Sequence, residues 1–372
     1  MRFKLLGKTG LRVSELCLGT MTFGEEWGTL LRGSPKEESK KVFDAFMNSG
    51  GNFIDTANVY QQGTSEKYLG DFIKSYGGRD NFVLATKYTL NTNPNDPNAG
   101  GNHRKNLVQS VKASLDRLQL DYIDILWVHV WDPMTPVEEM MRALDDLVQS
   151  GKILYAGISD APAWIVSQAN TIAELNGWSP FIGLQIPYSL IERSAERELL
   201  PMARAMDIGV TAWSPLAGGV LTGKYNLDVE EIKKQRKKTS KITGNGELRR
   251  YSPDNPMSEI FLDERNISIA NEVAKISKEL ERTASQVALN WVRQRQQQQH
   301  LPVIIPIIGA RTYSQVNDNL GCLDFNLTSE HIQRLNDIGK ISLGFPYEFM
   351  DSDMVRGFIY GKTFSLIDNH RN

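Results

Sequence analysis

Short apolar segments alternate with longer amphipathic segments along most of the chain. Eight segments of six or seven residues are apolar and rich in β-branched residues. They predict strands at residues 15–20, 52–57, 82–87, 123–129, 153–159, 181–186, 210–216 and 303–309. Segments this short, apolar on both faces, are typical of parallel strands covered by helices. We therefore expect a parallel sheet with helices packed against it.

Helix signals lie between the predicted strands. Thr135 is the expected N-cap of one helix, Pro136 its first residue and Glu138 a first-turn acid, and Ser150 with Gly151 ends it. In all, helices are predicted at about residues 35–50, 64–75, 104–118, 135–150, 163–175, 195–206, 268–280 and 314–320.

Eight strand-then-helix units in one chain predict an α/β fold, a closed (β/α)8 TIM barrel. One barrel accommodates ~250 residues, so we expect a single domain over residues 1–372. The remaining residues are an N-terminal β-hairpin at 3–14, a long polar insertion at about 226–257 after the seventh strand, and a C-terminal tail at about 342–372.

Composition narrows the class of protein. The net charge is -2, with both signs mixed along the chain, which argues against a nucleic-acid or membrane-surface partner. No apolar run approaches the ~18 residues of a membrane span, and the first ten residues lack the apolar region of a secretory signal. Cys17 and Cys322 are far apart and are interpreted as buried thiols. A cytoplasmic protein is expected.

Polar residues end three consecutive predicted strands, where such barrels place their active sites. Asp55 lies at the end of the second strand, Lys87 ends the third and His129 ends the fourth, while Tyr60 follows Asp55 by five residues. Each residue taken singly has an ordinary structural interpretation. Asp55 would cap a turn, Lys87 would reach solvent, His129 would be a core residue and Tyr60 would be a loop aromatic. Together they favour a catalytic cluster.

Proton transfer by a phenol is the chemistry that this cluster predicts. The pKa of tyrosine is ordinarily about 10, and a nearby ammonium stabilises the phenolate and lowers that pKa. We expect Lys87 to act in this way on Tyr60, Asp55 to hold Lys87 charged and oriented, and His129 to orient the substrate oxygen. Such a proton donor suits carbonyl reduction, provided that a hydride is supplied.

Two glycine-containing segments indicate a phosphate site. No G-x-G-x-x-G follows a strand, so a Rossmann site is not indicated. Residues 218–224 match G-x-x-x-x-G-K, but Tyr225 replaces the Ser or Thr that an NTPase needs, so the segment is interpreted as a pyrophosphate cradle. Gly309 and Arg311 follow the eighth strand at the start of a helix, a favourable position for phosphate.

Other residues near these segments have competing interpretations. Gln315, Asp318 and Asn319 recur at helical spacing, either facing a ligand or forming a solvated face. Trp213 either stacks on a flat ring or is an ordinary rim aromatic. The basic run at 233–238 is interpreted as a solvated loop, with a flap over cofactor phosphates as the alternative.

At these motifs the sequence resembles the aldo-keto reductases over nearly its whole length. The motifs are LGTMTFG, NFIDTANVY, FVLATK, DILWVHVWDP, GISDAPAW, LQIPYSLIER, TAWSPLAGGVLTGKY and IPIIGAR. GISDAPAW together with WVHVWDP is most similar to the aryl-alcohol-dehydrogenase-like branch. The resemblance implies a metal-free enzyme that reversibly reduces aldehydes or ketones with NADPH. Tyr60 would be its general acid, in a tetrad with Asp55, Lys87 and His129.

The resemblance also implies a set of contacts with NADPH/NADP+. Gly19, Thr20 and Met21 would touch the nicotinamide half, Ser159 and Gln185 would hold the carboxamide, and Trp213 would stack on the ring. Ser214, Leu216, Gly218, Gly223 and Lys224 would line the pyrophosphate. Arg311, Gln315, Asp318 and Asn319 would hold the adenosine end, with Arg311 on the 2'-phosphate.

The sequence departs from the family at two positions, and it leaves the substrate open. Asp160 stands where much of the family has Asn, and Pro187 stands where relatives often have Glu. Aromatic residues around the expected mouth suggest an aromatic carbonyl substrate, such as an aromatic aldehyde; they are Trp27, Tyr88, Trp131 and Tyr188.

Three alternative functions remain. An aldolase-type barrel would use Lys87 as a Schiff-base nucleophile. An NADPH-binding regulatory subunit with little turnover would share the motifs and act on a partner. A nucleotide-hydrolysing loop at 218–224 would bind Mg-ATP, against which Tyr225 argues.

Overall fold

The computed structural model describes residues 1–28, 32–224, 262–295 and 301–368. The predicted insertion at about 226–257, with its basic run, lies outside the described residues, as does the glutamine tract at 296–299.

The eight predicted strands are confirmed, and they close into a parallel barrel. They are β3 Cys17–Gly19, β4 Phe53–Asp55, β5 Val83–Tyr88, β6 Ile123–Val128, β7 Ile153–Ser159, β8 Phe181–Pro187, β9 Gly209–Trp213 and β10 Ile304–Gly309. Neighbours follow chain order, and β10 pairs with both β9 and β3 to complete the ring. Most strand residues are buried, because one face lines the barrel interior and the other lies under helices.

The barrel interior is filled by side chains around Trp127 of β6. Gly157 of β7 and Gly183 of β8 make room for its indole: a Cβ built on these glycines would lie 2.3 Å and 2.6 Å from ring atoms. The interior is therefore a packed core, and chemistry is confined to the barrel mouth.

The predicted N-terminal hairpin is also confirmed. β1 Phe3–Leu5 pairs antiparallel with β2 Arg12–Ser14. At Gly7, whose φ is 56°, a Cβ would lie 2.5 Å from the carbonyl oxygen of Ile182 near the start of β8. The hairpin thus lies against the end of the barrel opposite the mouth.

Helices surround the barrel. They are α1 Lys36–Asn48, α2 Thr64–Tyr76, α3 Arg104–Leu118, α4 Val137–Gln149, α5 Ala163–Asn176, α6 Leu199–Ala205, α7 Glu264–Glu279, α8 Ala284–Gln294, α9 Tyr313–Leu320, α10 Ser329–Ile338, α11 Tyr347–Met350 and α12 Asp353–Tyr360. Of these, α8, α10, α11 and α12 were not among the predicted helices. Within the described ranges, no helix is both long and apolar enough to cross a membrane.

Three helix starts differ from the prediction, and one of them is that of α7, which begins at Glu264, four residues before the predicted start. Thr135 does not cap α4, because its hydroxyl donates to Asp132 at 2.7 Å and Pro136 takes the N-cap position. The helix predicted at 195–206 is a short 3₁₀ turn followed by α6, which begins at Leu199. Pro201 explains the late start, since proline lacks an amide proton and fits only the first turn of a helix.

Candidate active site

The ammonium of Lys87 occupies the centre of the barrel mouth and has three acceptors. It donates to a carboxylate oxygen of Asp55, to the carbonyl oxygen of Thr56 at 2.7 Å and to the phenolic oxygen of Tyr60 at 3.1 Å. The register of the strands brings Lys87 and Asp55 together, because Asp55 of β4 lies beside Ala85 of β5, and Lys87 follows Ala85 by two residues. Lys87 and Asp55 are 1% and 3% exposed. All three ammonium protons are used, so the lysine is fixed in position.

Tyr60 reaches the mouth from the loop after β4. It begins a 3₁₀ turn ending at Gly63, and its amide donates to the carbonyl of Ala57 at 3.1 Å. Because the phenolic oxygen accepts from Lys87, its own proton is left to another acceptor, and none exists among the described residues. The half-buried phenol therefore presents a proton to whatever binds in the mouth.

The pKa of Tyr60 lies above its ordinary value, which differs from the expected lowering. Burial of the phenol is the largest cause and raises the pKa, while the Lys87 ammonium opposes it. For Lys87 itself, burial lowers the pKa, but the Asp55 carboxylate and Tyr60 raise it, and the net shift is upward. At neutral pH the pair is thus a neutral phenol beside an ammonium.

His129 lies just beyond the end of β6, the strand that pairs with the β5 strand of Lys87. Its ring contacts that of Tyr60 edge-on, with the centroids 5.9 Å apart. Burial, and then the nearby Lys87 ammonium, lower the pKa of His129 to about 3. Its Nδ1 is buried without a partner in the part of the chain that the structure describes. The imidazole is therefore neutral at physiological pH.

Gln185 of β8 is joined to the cluster by a bond that the sequence did not predict. Its amide nitrogen donates to the second carboxylate oxygen of Asp55 at 3.0 Å. It also lies beside Ser159 of β7 in the strand register, and both side chains are buried. Thr20 adds a further contact, its hydroxyl donating to the carbonyl of Asp55 at 3.1 Å.

The aromatic residues expected at the mouth divide into two groups. Trp27 and Trp131 are half-buried, and the ring of Trp27 meets that of Tyr60 edge-on at 6.2 Å. Tyr88 and Tyr188 are fully buried, so the expectation that they line a substrate pocket is wrong. Their hydroxyls are used internally: Tyr88 donates to the carbonyl of Asn102 at 3.1 Å and Tyr188 to Glu196 at 2.6 Å.

Trp213 stands at the end of β9, next to Asp160. The indole nitrogen of the half-buried Trp213 donates to a carboxylate oxygen of Asp160 at 3.1 Å. Asp160 follows Ser159 and has a φ of 45°. The carboxylate of Asp160 thus orients the indole of Trp213.

The loop after β9 is rich in left-handed backbone conformations. Ser214, Ala217, Gly218, Gly219 and Gly223 have φ values of 50°, 49°, 63°, 101° and 82°. A backbone of this kind can turn amide protons towards one side and form a concave site for phosphate. Here the amides of Ala217, Gly219 and Leu221 donate to carbonyls of the loop itself. A Cβ built on Gly219 would meet no atom within 4 Å, so there is open space beside this backbone. Leu216 and Lys224, the other expected pyrophosphate residues, are half-buried in the same loop.

The neighbouring loop, after β10, supplies the second expected phosphate contact. Gly309 is exposed, and a Cβ there would also meet no atom within 4 Å. Gly309 lies beside Gly19 of β3 in the strand register, which brings Gly19, Thr20 and Met21 to the same side of the mouth. Arg311 follows, and the half-buried side chain precedes α9.

The polar residues on α9 have partners within the protein. The amide oxygen of Gln315 accepts from the backbone of Arg311 at 2.8 Å, and Asn319 donates to the carbonyl of Gly309 at 3.3 Å. Asp318 instead accepts from Thr283 and Gln286, both at 3.2 Å, at the start of α8. Two of the three residues therefore shape the loop after β10, whereas Asp318 joins two helices.

These two loops, on adjacent strands, fit a dinucleotide. The loop after β9 and the start of α9 are the segments that could hold phosphates, and they contain the cationic residues Lys224 and Arg311. Trp213 and Gln185 lie at the mouth, where a planar ring with an amide substituent would meet an indole and an amide. In the described ranges, no group of three or more His, Cys, Asp or Glu side chains is arranged to hold a metal.

Two residues with unusual features in the site were not singled out by the sequence. Asn58, which lies between Asp55 and Tyr60 in the sequence, is buried. Neither the nitrogen nor the oxygen of its side-chain amide has a hydrogen-bond partner among the described residues. Thr89, two residues after Lys87, is a buried β-branched residue with a φ of 107°. Asn58 lies within the motif NFIDTANVY, so the sequence contains a signal that could have pointed to it. The backbone angle of Thr89 leaves no trace in the sequence.

Comparison with known proteins agrees with this geometry. Residues 15–340 match the aldo/keto reductase family. The chain is 36% identical over 351 residues to norsolorinic acid reductase of Aspergillus flavus, covering 93% of this chain and 83% of that protein. It is 37% identical over 351 residues to an NADP(+) aryl-alcohol dehydrogenase of Phanerodontia chrysosporium, covering 91% and 86%. Norsolorinic acid reductase B of Dothistroma septosporum is 34% identical over 364 residues, covering 96% and 86%.

The chain belongs to the aldo/keto reductase family. It is an oxidoreductase for carbonyl compounds that uses a nicotinamide cofactor.

Proposed function

We propose that this protein reduces an aldehyde or ketone to the alcohol with NADPH, and that Tyr60 donates the proton. The observation that carries the proposal is the hydrogen bond from Lys87 to the phenolic oxygen of Tyr60 at 3.1 Å. That bond leaves the hydroxyl proton of Tyr60 available to a substrate oxygen. It also places an ammonium where negative charge develops once the proton has left.

His129 would orient the substrate in this reaction. Because the pKa of His129 is about 3, its imidazole is neutral and carries one N–H that can be donated to a carbonyl oxygen. A neutral donor beside Tyr60 positions that oxygen without competing for the phenolic proton. The edge-on contact between the two rings puts both groups on the same side of the mouth.

Asp55 and Gln185 would keep Lys87 in place while charge changes on Tyr60. Lys87 is buried, and an isolated ammonium there would be strongly disfavoured. Asp55 supplies the opposite charge, and Gln185 restrains the second carboxylate oxygen. The buried pair of Lys87 and Asp55 also argues against a Schiff-base function. The raised pKa of Lys87 keeps its amine protonated and therefore non-nucleophilic.

NADPH, when bound, would supply the hydride. Trp213 would stack on the nicotinamide ring, Ser159 and Gln185 would bind its amide, and the loop after β9 would hold the pyrophosphate. Lys224 would bring positive charge to the pyrophosphate, which both cofactors carry. Arg311 would bring it to the 2'-phosphate, which only NADPH carries, and this supports NADPH over NADH. The NADP(+) dependence named for the Phanerodontia chrysosporium relative supports the same choice.

Aromatic carbonyls are the proposed substrate class. The half-buried Trp27 beside Tyr60, with Trp131 in the loop after β6, offers aromatic surface next to the proton donor. Relatives named as aryl-alcohol dehydrogenases support this class.

A steady-state assay tests the proposal. Purified protein is mixed with a nitrobenzaldehyde and either NADPH or NADH, and the nicotinamide absorbance is followed. We expect oxidation of NADPH with formation of the alcohol, and a much slower reaction with NADH. NADPH that binds tightly but is never oxidised by any of a panel of aromatic and aliphatic carbonyls would contradict the proposed function and favour a regulatory subunit.

A further inference from the structure

Thr89 has a backbone conformation that threonine strongly disfavours. Its φ is 107°, whereas every other non-glycine residue with a positive φ in the described ranges lies between 45° and 56°. The values near 50° belong to the left-handed helical region, which asparagine, aspartate and others visit at modest cost. A β-branched residue at 107° is a clear outlier and is strained there. Glycine would adopt this angle without strain.

The side chain of Thr89 shows what the strained conformation achieves. Its hydroxyl oxygen accepts from the backbone amide of His129 at 3.2 Å and from the side-chain amide of Asn102 at 2.9 Å. The amide of His129 also donates to the carbonyl of Tyr88 at 3.1 Å, so the ladder between β5 and β6 continues past the last strand pair without Thr89. The hydroxyl is therefore an additional restraint on His129.

Asn102 fixes that hydroxyl from the other side. Asn102 is fully buried, and its side-chain nitrogen also donates to the carbonyl of Val130 at 3.1 Å. Its side-chain oxygen accepts from the backbone of Asp132 at 2.6 Å. The loop after β5 and the loop after β6 are thereby joined through one amide.

We propose that Thr89 is a positioning residue for His129. The hydroxyl holds the backbone of His129 at the point where β6 ends, and Asn102 holds the hydroxyl. Through these bonds the imidazole keeps its place beside Tyr60. The need for a hydroxyl explains why threonine occupies a position that glycine would fill without strain. This inference rests on the proposed function, in which His129 orients the substrate oxygen.

Three substitutions at one position separate the hydroxyl from the backbone. Thr89→Ser keeps the hydroxyl, Thr89→Val removes it and keeps the shape, and Thr89→Gly removes it and relieves the strain. Each variant is compared with the wild type in kcat and in KM for NADPH with a nitrobenzaldehyde. The nitrogen-detected imidazole signals of His129 are recorded by NMR in the cofactor-free protein and assigned with His129→Asn.

We expect Thr89→Ser to resemble the wild type. Thr89→Val and Thr89→Gly should lose about ten- to a hundred-fold in kcat, the scale of a misplaced catalytic group, with the KM for NADPH unchanged. The His129 signals should shift in these two variants alone. A purely structural threonine would lower stability without this pattern.

Wild-type kcat in Thr89→Val and Thr89→Gly, an equal loss in Thr89→Ser, or unshifted His129 signals would overturn the inference. If Thr89→Val does not fold, Thr89→Gly decides, because glycine adopts the native angle readily. If the wild-type protein reduces no carbonyl, the proposed function fails, and the His129 signals alone still decide whether Thr89 positions this residue.

Discussion

Lys87 and Tyr60 are joined by a hydrogen bond in which the ammonium donates and the phenolic oxygen accepts, at 3.1 Å. The direction of this bond matters more than its strength. A phenol that accepted nothing would be free to turn its proton elsewhere, and a phenol that donated to a neighbour would have its proton already engaged. Here the proton is left for the mouth, and the charge that remains after its loss lies against a fixed cation.

The buried pair of Lys87 and Asp55 should be costly to break. Lys87→Met leaves the Asp55 carboxylate buried without its counter-ion, so the free energy of unfolding should fall by about 3–5 kcal/mol. Urea denaturation measures this loss. The matched control is Lys36→Met: its ammonium pairs at the surface with Asp71, and such exposed pairs contribute only about 0–1 kcal/mol.

The double variant Lys87→Met, Asp55→Leu completes that experiment. Replacing both charges by apolar groups should recover much of the stability and none of the activity. Full stability in Lys87→Met alone would show that the carboxylate is not buried as described.

The pH dependence of carbonyl reduction should be flat across the neutral range. Protonated Tyr60 is the active form, and burial raises its pKa above the ordinary value of 10, so kcat should fall only at strongly alkaline pH. His129 is neutral down to about pH 3 and should add no change near pH 6.5. A pH profile of kcat checks both. An inflection near the ordinary histidine pKa of 6.5 that disappears in His129→Asn would contradict the neutral imidazole.

The cofactor preference should depend on Arg311. Loss of a charged hydrogen bond to a phosphate costs about 1.5–3 kcal/mol, so Arg311→Met should raise the KM for NADPH roughly ten- to a hundred-fold. The KM for NADH, which lacks that phosphate, should change little. Arg12→Met, an exposed arginine on the N-terminal hairpin, is the control. An equal loss for both cofactors would place Arg311 away from the 2'-phosphate.

Gln185 should contribute to stability as well as to cofactor binding. Gln185→Leu leaves one oxygen of the buried Asp55 without its donor, which should lower the free energy of unfolding by about 1–3 kcal/mol. It should also weaken NADPH binding, measured by titration calorimetry. Gln109→Leu, an exposed glutamine on α3, is the control. Unchanged stability in Gln185→Leu would mean that water replaces the amide.

Most of the fold was predictable from the pattern of apolar residues. The eight strands follow from short segments buried on both faces, and the positions of Asp55, Lys87 and His129 follow from where those strands end. Helix α6 is shorter than its apolar pattern predicts, because Pro201 must lie in its first turn. Helix α8 is a second helix between β9 and β10, and α10 follows the last strand-then-helix unit, so an alternation of one helix per strand predicts neither.

The contacts inside the site were less predictable than its members. Gln185 lies 130 residues from Asp55, and the bond between them depends on side-chain conformations that strand period does not determine. The net pKa of Tyr60 depends on how much burial offsets the effect of Lys87, and sequence gives only the residue types. The strained angle of Thr89 depends on partners from two loops.

The central claim is that Tyr60 donates the proton, and single-turnover kinetics with the Tyr60→Phe variant test it most directly. NADPH affinity is measured first, by quenching of tryptophan fluorescence, and the rate of NADPH oxidation with excess nitrobenzaldehyde is then compared with that of the wild type. We predict similar affinity and a rate lower by ~10² or more, the scale of general acid catalysis. Oxidation of NADPH by Tyr60→Phe at the wild-type rate would contradict the claim.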